Sequence, residues 1–241
     1  MFSALYHSAI FNPLYNGLIY LMDVFPWMDA GIAVIIFTIL VRLVLFPLSK
    51  KAIVTQVRMK QLEPQLRHIR ESMKEDKQGQ ALKTMALYKE KGVSPFSSFF
   101  VLLIQLPIIY ALYAIFMRSG LPVVNETLLY SFVQIPTINM HFLGLLDISK
   151  SSVFLAVIAA ASQFLQLHFS LAANPGPSSG GGQMDMALSM TKNMKYVFPV
   201  IIFIISYKIA AVVAIYWAVS SLFTLAQELV VRKHLAKHQP L

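Results

Sequence analysis

The 241-residue chain contains no cysteine. That excludes disulfides, a thiol nucleophile, thiolate metal clusters and a lipid-modified cysteine. Charge is scarce as well, at 13% of residues against 57% hydrophobic, and mean hydropathy is +0.64. A soluble domain carries about a quarter charged residues, so this is the composition of a membrane protein. Lys and Arg are missing from the first 41 residues, so the basic start of a secretory signal is not seen. No phosphate-cradling loop of the form G-x-x-x-x-G-K-[ST] occurs, and no H-E-x-x-H pair. Paired carboxylates, which could carry protons or sodium, are absent from the apolar runs. Together these gaps predict a protein that is not an enzyme and uses no cofactor or metal. His234 and His238 share an i, i+4 spacing, but they lie in a basic tail where solvation is expected. Asn125-Glu126-Thr127 fits a glycosylation sequon, which matters only in a host that glycosylates.

What is present is a series of apolar runs. They predict an all-α polytopic membrane protein with five transmembrane helices, because a span needs ~20 mostly apolar residues and hydrocarbon forces the backbone to satisfy itself. The spans are expected at residues 30–48, 94–118 and 152–171, with two more within 195–231. That last run is too long for one crossing, and Ser206-Tyr207-Lys208 supplies the break. Residues 1–29 read as an amphipathic helix lying in the outer interface and ending near Pro26; an additional span is the competing reading.

Residues 49–93 look soluble, with eleven Lys or Arg against five Asp or Glu between Lys50 and Gly92. Met59, Leu62, Leu66, Ile69 and Met73 recur in steps of three and four, the seam of a helix in a helical hairpin. Pro64 should break or kink that helix, Glu75–Gly79 should turn, and Leu82, Met85, Ala86 and Tyr88 should face the partner. Residues 119–151 read as an extracytoplasmic loop with a short helix, 172–194 as a cytoplasmic linker, and 232–241 as a basic tail. The linker NPGPSSGGGQ (Asn174–Gln183) is flexible by composition. Sixteen Lys or Arg fall on the side of the helical hairpin and three on the other. This bias puts the N-terminus outside and the C-terminus in the cytoplasm.

One arginine, Arg42, lies inside the first span. A cation there costs roughly 2.5 to 3.5 kcal/mol on insertion scales. Either it faces a wet cavity among helices, or its stem lifts the guanidinium to the interface near Lys50 and Lys51. Gln105, Gln163, Gln166, Ser220 and Ser221 also fall at membrane depth, where such side chains usually hold helices together. With Arg42 they suggest a positively charged pocket that would attract acidic or polar chain segments. Glu228, at the end of the last span, is expected to be solvated.

Several stretches resemble the YidC insertases, a family with mitochondrial oxidase-assembly and thylakoid relatives. They are TILVRLVLFPLSKK (Thr38–Lys51), YKEKGVSPF (Tyr88–Phe96), LLIQLPIIYALYAIF (Leu102–Phe116), FLGLLDISK (Phe142–Lys150), ASQFLQ (Ala161–Gln166) and AIYWAVSSLFTLAQE (Ala214–Glu228). The resemblance implies insertion of nascent membrane proteins into the bacterial cytoplasmic membrane without ATP, alone or beside the Sec translocon. It further implies a hydrophilic groove open to cytoplasm and lipid, with Arg42, Gln105, Gln163, Gln166, Ser220 and Ser221 in or near it. The two serines stand where paired asparagines are common. Ribosomes and anionic lipids are implied partners of the basic segments; no specific nucleic-acid sequence is. The rival readings are a transporter or channel subunit in which Arg42 binds anions, and a scaffold that chaperones spans without inserting them.

Overall fold

The computed structural model describes residues 6–94, 97–118, 121–172 and 183–238. It is mostly helical. A π-helical turn His7–Phe11 leads into α1 (Asn12–Val24), followed by α2 (Ala30–Val44), α3 (Phe46–Gln61), α4 (Glu63–Ser72) and α5 (Lys77–Glu90). Then come α6 (Ser97–Tyr113), a π-turn Ala114–Arg118, a 3-10 turn Glu126–Leu128, and strands β1 (His141–Phe142) and β2 (Leu146–Asp147). Helices α7 (Val153–Ala172), α8 (Gln183–Lys208) and α9 (Ala211–His238) complete the chain.

Among the described residues, two helices are long and apolar enough to cross a membrane, Val153–Ser170 and Ala211–Lys237. A third arises if α2 and α3 are taken as one broken span. The other apolar helix, Gln105–Met117, is shorter. The chain is therefore read as an integral membrane protein.

Residues 1–45, 103–163 and 199–223 form one compact unit, and 46–102, 164–198 and 224–241 a second. In the first unit, α2 and α7 bury several small and polar residues while several of their large apolar ones stay exposed. On α2 the buried stripe is Val34, Thr38 and Arg42, each four residues on, while Leu40, Leu43 and Val44 are exposed. On α7, Ala156, Ala159, Ser162 and Gln163 are buried, and Phe154 and Val157 are exposed. A water-soluble bundle reverses this pattern; a bundle in lipid packs small residues together and turns its large apolar side chains outward.

The segment between α6 and α7 is built more tightly than a loop. Residues 141–147 form an antiparallel β-hairpin pairing His141 with Asp147 and Phe142 with Leu146. Its turn uses left-handed backbone at Leu143 (φ 53°) and Gly144 (φ 72°). Helix α1 holds the same segment by buried polar groups. Asn16 donates to the Leu128 carbonyl (2.8 Å) and accepts from Tyr130 N (2.6 Å), and the Tyr15 hydroxyl accepts from Asn125 N (2.8 Å). Asp29 caps α2 through Ile32 N and also accepts from Leu143 N, both at 2.9 Å.

In the second unit, α4 and α5 bury Leu62, Leu66, Tyr88 and Val93 together, flanked by Met59 and Leu87. Helix α5 ends on Gly92 at φ 61°, with Val93 N bonded to Tyr88 O and Gly92 N to Lys89 O. That is the six-to-one and five-to-two closure which a left-handed glycine permits, with Tyr88 and Val93 in apolar contact across it.

Several expectations shift. The first apolar run breaks at Leu45 rather than after Pro47, because proline lacks an N–H and suits the first turn of α3. Pro64 breaks the helix as expected, with the interruption at Leu62 just before it, and then opens α4. Gly79 lies inside α5, since the Asp76 carboxylate caps its N–H (2.8 Å) and starts the helix earlier. Tyr88 packs against the partner as expected, but Leu82, Met85 and Ala86 are exposed and Leu87 joins the contact in their place. The helix break falls at Ile209–Ala210, where carbonyls of Lys150 and Ile148 receive the Ala211 and Val212 N–H groups. Gln183–Lys195 and Arg232–His238 are helical rather than linker and tail; the linker at 174–182 lies outside the described residues. Glu228 is buried and ion-paired with Arg232, whose guanidinium also donates to the Ser170 carbonyl (3.4 Å). The four-residue spacing on α9 makes that pair local.

Candidate functional site

The site grows from the buried stripe of α2. Asp29 caps the helix at Ile32, and Thr38 returns its hydroxyl to the Val34 carbonyl (2.6 Å), so the stripe reaches Arg42 without a loose polar group. Arg42 keeps only 8% of its surface exposed. Its Nη2 donates to Gln105 Oε1 at 2.5 Å. The Gln105 amide in turn donates to the Tyr216 hydroxyl at 2.6 Å, and Arg42 and Ser220 also reach that hydroxyl. The arrangement is a cation held by neutral groups. Among the described residues no carboxylate pairs with Arg42.

An isolated buried charge is costly, and the usual remedy is an ion pair. Here an amide oxygen and a phenol do that work. A guanidinium has five N–H donors, more than these two oxygens fill. None of its nitrogens is among the fully buried polar atoms without a partner. The group is mostly enclosed, and neutral side chains hold it.

A second network lies one step around α9. Gln163 Oε1 accepts from Trp217 Nε1 (2.8 Å) and from Ser221 Oγ (3.0 Å). Tyr216 and Ser220 are four residues apart on α9, as are Trp217 and Ser221, so two adjacent rows of one helix serve two glutamines. The structure therefore brings Arg42, Gln105 and Ser220 into one network and Gln163 and Ser221 into another. Gln166 belongs to the other unit and is half-buried. Tyr216 and Trp217 were not singled out in the sequence, although their four-residue spacing to Ser220 and Ser221 was there to be read. Among the described residues no cluster of His, Cys, Asp or Glu could hold a metal.

The family model described as 60Kd inner membrane protein matches residues 20–238. The chain belongs to the YidC family. It is 32% identical over 228 residues to the membrane protein insertase YidC of Fusobacterium nucleatum, covering 94% of this chain and 98% of that one. It is 29% identical to YidC of Clostridium tetani over 88% of this chain and 86% of the relative. The membrane protein insertase MisCA of Bacillus subtilis is 27% identical over 87% and 73%. Both networks fall within the matched region of the family model.

Proposed function

We propose that this chain is a membrane protein insertase that receives nascent hydrophobic proteins at a polar intramembrane groove and releases their spans sideways into lipid. The observation that carries the reading is Arg42, a guanidinium enclosed in an apolar helix with an amide and a phenol around it and, among the described residues, no carboxylate partner. A net positive charge held in place at membrane depth attracts the acidic or polar flank of an incoming segment. Gln105, Gln163, Ser220 and Ser221 offer it uncharged hydrogen-bond partners. A groove that reaches part-way across shortens the hydrocarbon that the flank must traverse. Apolar substrate residues then leave for lipid, and their burial drives the step at roughly 25 cal/mol per Å².

The proposed architecture has five spans, with α1 at the outer interface and the basic α4–α5 pair in the cytoplasm as receiver. The distribution of Lys and Arg supports it. The N-terminus is then outside, the C-terminus inside, and the membrane is the bacterial cytoplasmic one. Nascent membrane proteins are the substrates; ribosomes, the Sec translocon and anionic headgroups are the partners that the basic face suits.

Insertion of a small substrate with an acidic outer tail into proteoliposomes tests the reading. Arg42→Ala should impair it strongly, and Arg42→Lys should retain most of it. Equal insertion by wild type and Arg42→Ala would remove the electrostatic role, and a solute flux through these liposomes would favour a transporter.

A further inference from the structure

The β-hairpin His141–Asp147 has features that its size alone does not require. Its base is fixed on both flanks to the first residues of membrane helices. On one side Asn139 O accepts from Ala30 N at 2.8 Å, at the start of α2. On the other, Lys150 O accepts from Ala211 N at 2.8 Å and Ile148 O from Val212 N at 3.2 Å, at the start of α9. Asp29 further grips Leu143 N, and Phe142 lies so close to Gly31 that an added Cβ would meet its ring at 2.3 Å. Ile148 and Met140 plug the base beneath. The hairpin therefore stands level with the first residues of α2 and α9. At ~3.3 Å per residue its tip lies within about 10 Å of those helix starts, and the headgroup zone is roughly 5–7 Å deep on each side of the hydrocarbon.

The tip is apolar. Leu145 is 83% exposed and Leu143 61%. Leu143 also adopts φ 53°, a backbone conformation that leucine rarely takes and that glycine or asparagine adopts at less cost. A leucine at that position gains nothing from the turn itself. Nearby in sequence to the Asp29 grip, Trp27 is 74% exposed and Phe25 is exposed beside it, with ring centroids 6.2 Å apart. Aromatics of this kind gather at membrane–water interfaces. Between residues 119 and 149 there is no Lys or Arg, so the segment offers no basic patch to an anionic surface.

We propose that the Leu143–Leu145 tip is a lipid anchor, a rigid apolar finger seated in the headgroup and upper acyl region of the leaflet where α2 and α9 begin. Its occupant is the bilayer surface rather than a protein groove, because its attachment to two helix starts fixes its depth at the interface. The anchor holds that end of the first unit against lipid independently of the insertase reading.

The chain's lack of cysteine makes the test direct. Leu145→Cys and, as an aqueous reference, the exposed Lys74→Cys are each labelled with an environment-sensitive fluorophore and reconstituted into phosphatidylcholine vesicles. At 145 the emission should shift to the blue, lose quenching by aqueous iodide, and be quenched by lipids carrying a nitroxide near the glycerol. At 74 it should show none of these. Emission and iodide access at 145 equal to those at 74 would overturn the proposal. Protection from iodide without quenching by lipid would overturn it too, since it would mean the tip is covered by protein. Substrate insertion measured on the same samples keeps this outcome separate from that of the groove.

Discussion

Removing the oxygen that holds Arg42 tests the physics of the site most sharply. In Gln105→Leu a side chain of similar volume stays, but the acceptor 2.5 Å from Nη2 and the donor 2.6 Å from the Tyr216 hydroxyl both go. A hydrogen bond to a charged group is worth ~1.5–3 kcal/mol, and an orphaned charged donor loses at least as much. Arg42→Met removes the charge and its desolvation cost together, so it should be milder than Gln105→Leu despite deleting the more conspicuous residue. In the double variant nothing is left uncompensated between the two positions. A double-mutant cycle on unfolding in mixed micelles should therefore give a coupling of ~1.5–3 kcal/mol, well above the ~0.3–0.5 kcal/mol scatter of independent sites. A coupling within that scatter would refute the claim that Gln105 compensates the guanidinium.

Three further outcomes follow. Gln163→Leu orphans both Trp217 Nε1 and Ser221 Oγ and should cost about 1–3 kcal/mol per group, more than Ser221→Ala; equal midpoints in thermal melts would contradict this. Gly31→Ala should destabilise by about 1–3 kcal/mol, since its methyl would run into the Phe142 ring, and an unchanged melting temperature would show that the ring yields freely. The Asp147 carboxyl is held at about 2, below the ordinary 3.8, first by the Ser149 hydroxyl and then by Lys150. A depressed acid stabilises the fold fully above 3.8 and loses that contribution as pH falls through about 2. Asp147→Asn should flatten the acid limb of hairpin stability in that window, read by the 145 fluorophore; an unchanged limb would assign it to other groups.

Much of this was legible in residues. The runs at 152–171 and 211–231 are apolar enough to announce helices, and an arginine inside GIAVIIFTILVRLVLFPL cannot be neutral in its consequences. The pattern Val34, Thr38, Arg42 already marks one face by its steps of four, though which face turns inward depends on lipid being the solvent. The β-hairpin was not legible, because strands of two residues cannot show an alternating pattern. Neither was the helix break at Ile209–Ala210, which is set by carbonyls sixty residues away rather than by the polar Tyr207-Lys208 pair. Leu82 and Met85 looked like a seam by hydrophobicity alone; with a partner helix as short as α4, only Leu87 and Tyr88 meet it. Glu228 looked solvated at the helix end, but Arg232 one turn on neutralises it and permits burial.

The central claim is that substrates pass beside Arg42. A photo-crosslinking side chain at position 42, with a ribosome-stalled nascent membrane protein in proteoliposomes, tests it most directly. The account predicts a strong adduct from position 42 and a weak one from Val44, which is 77% exposed on the opposite side of the same helix. Adducts from 44 equal to or stronger than those from 42 would contradict it.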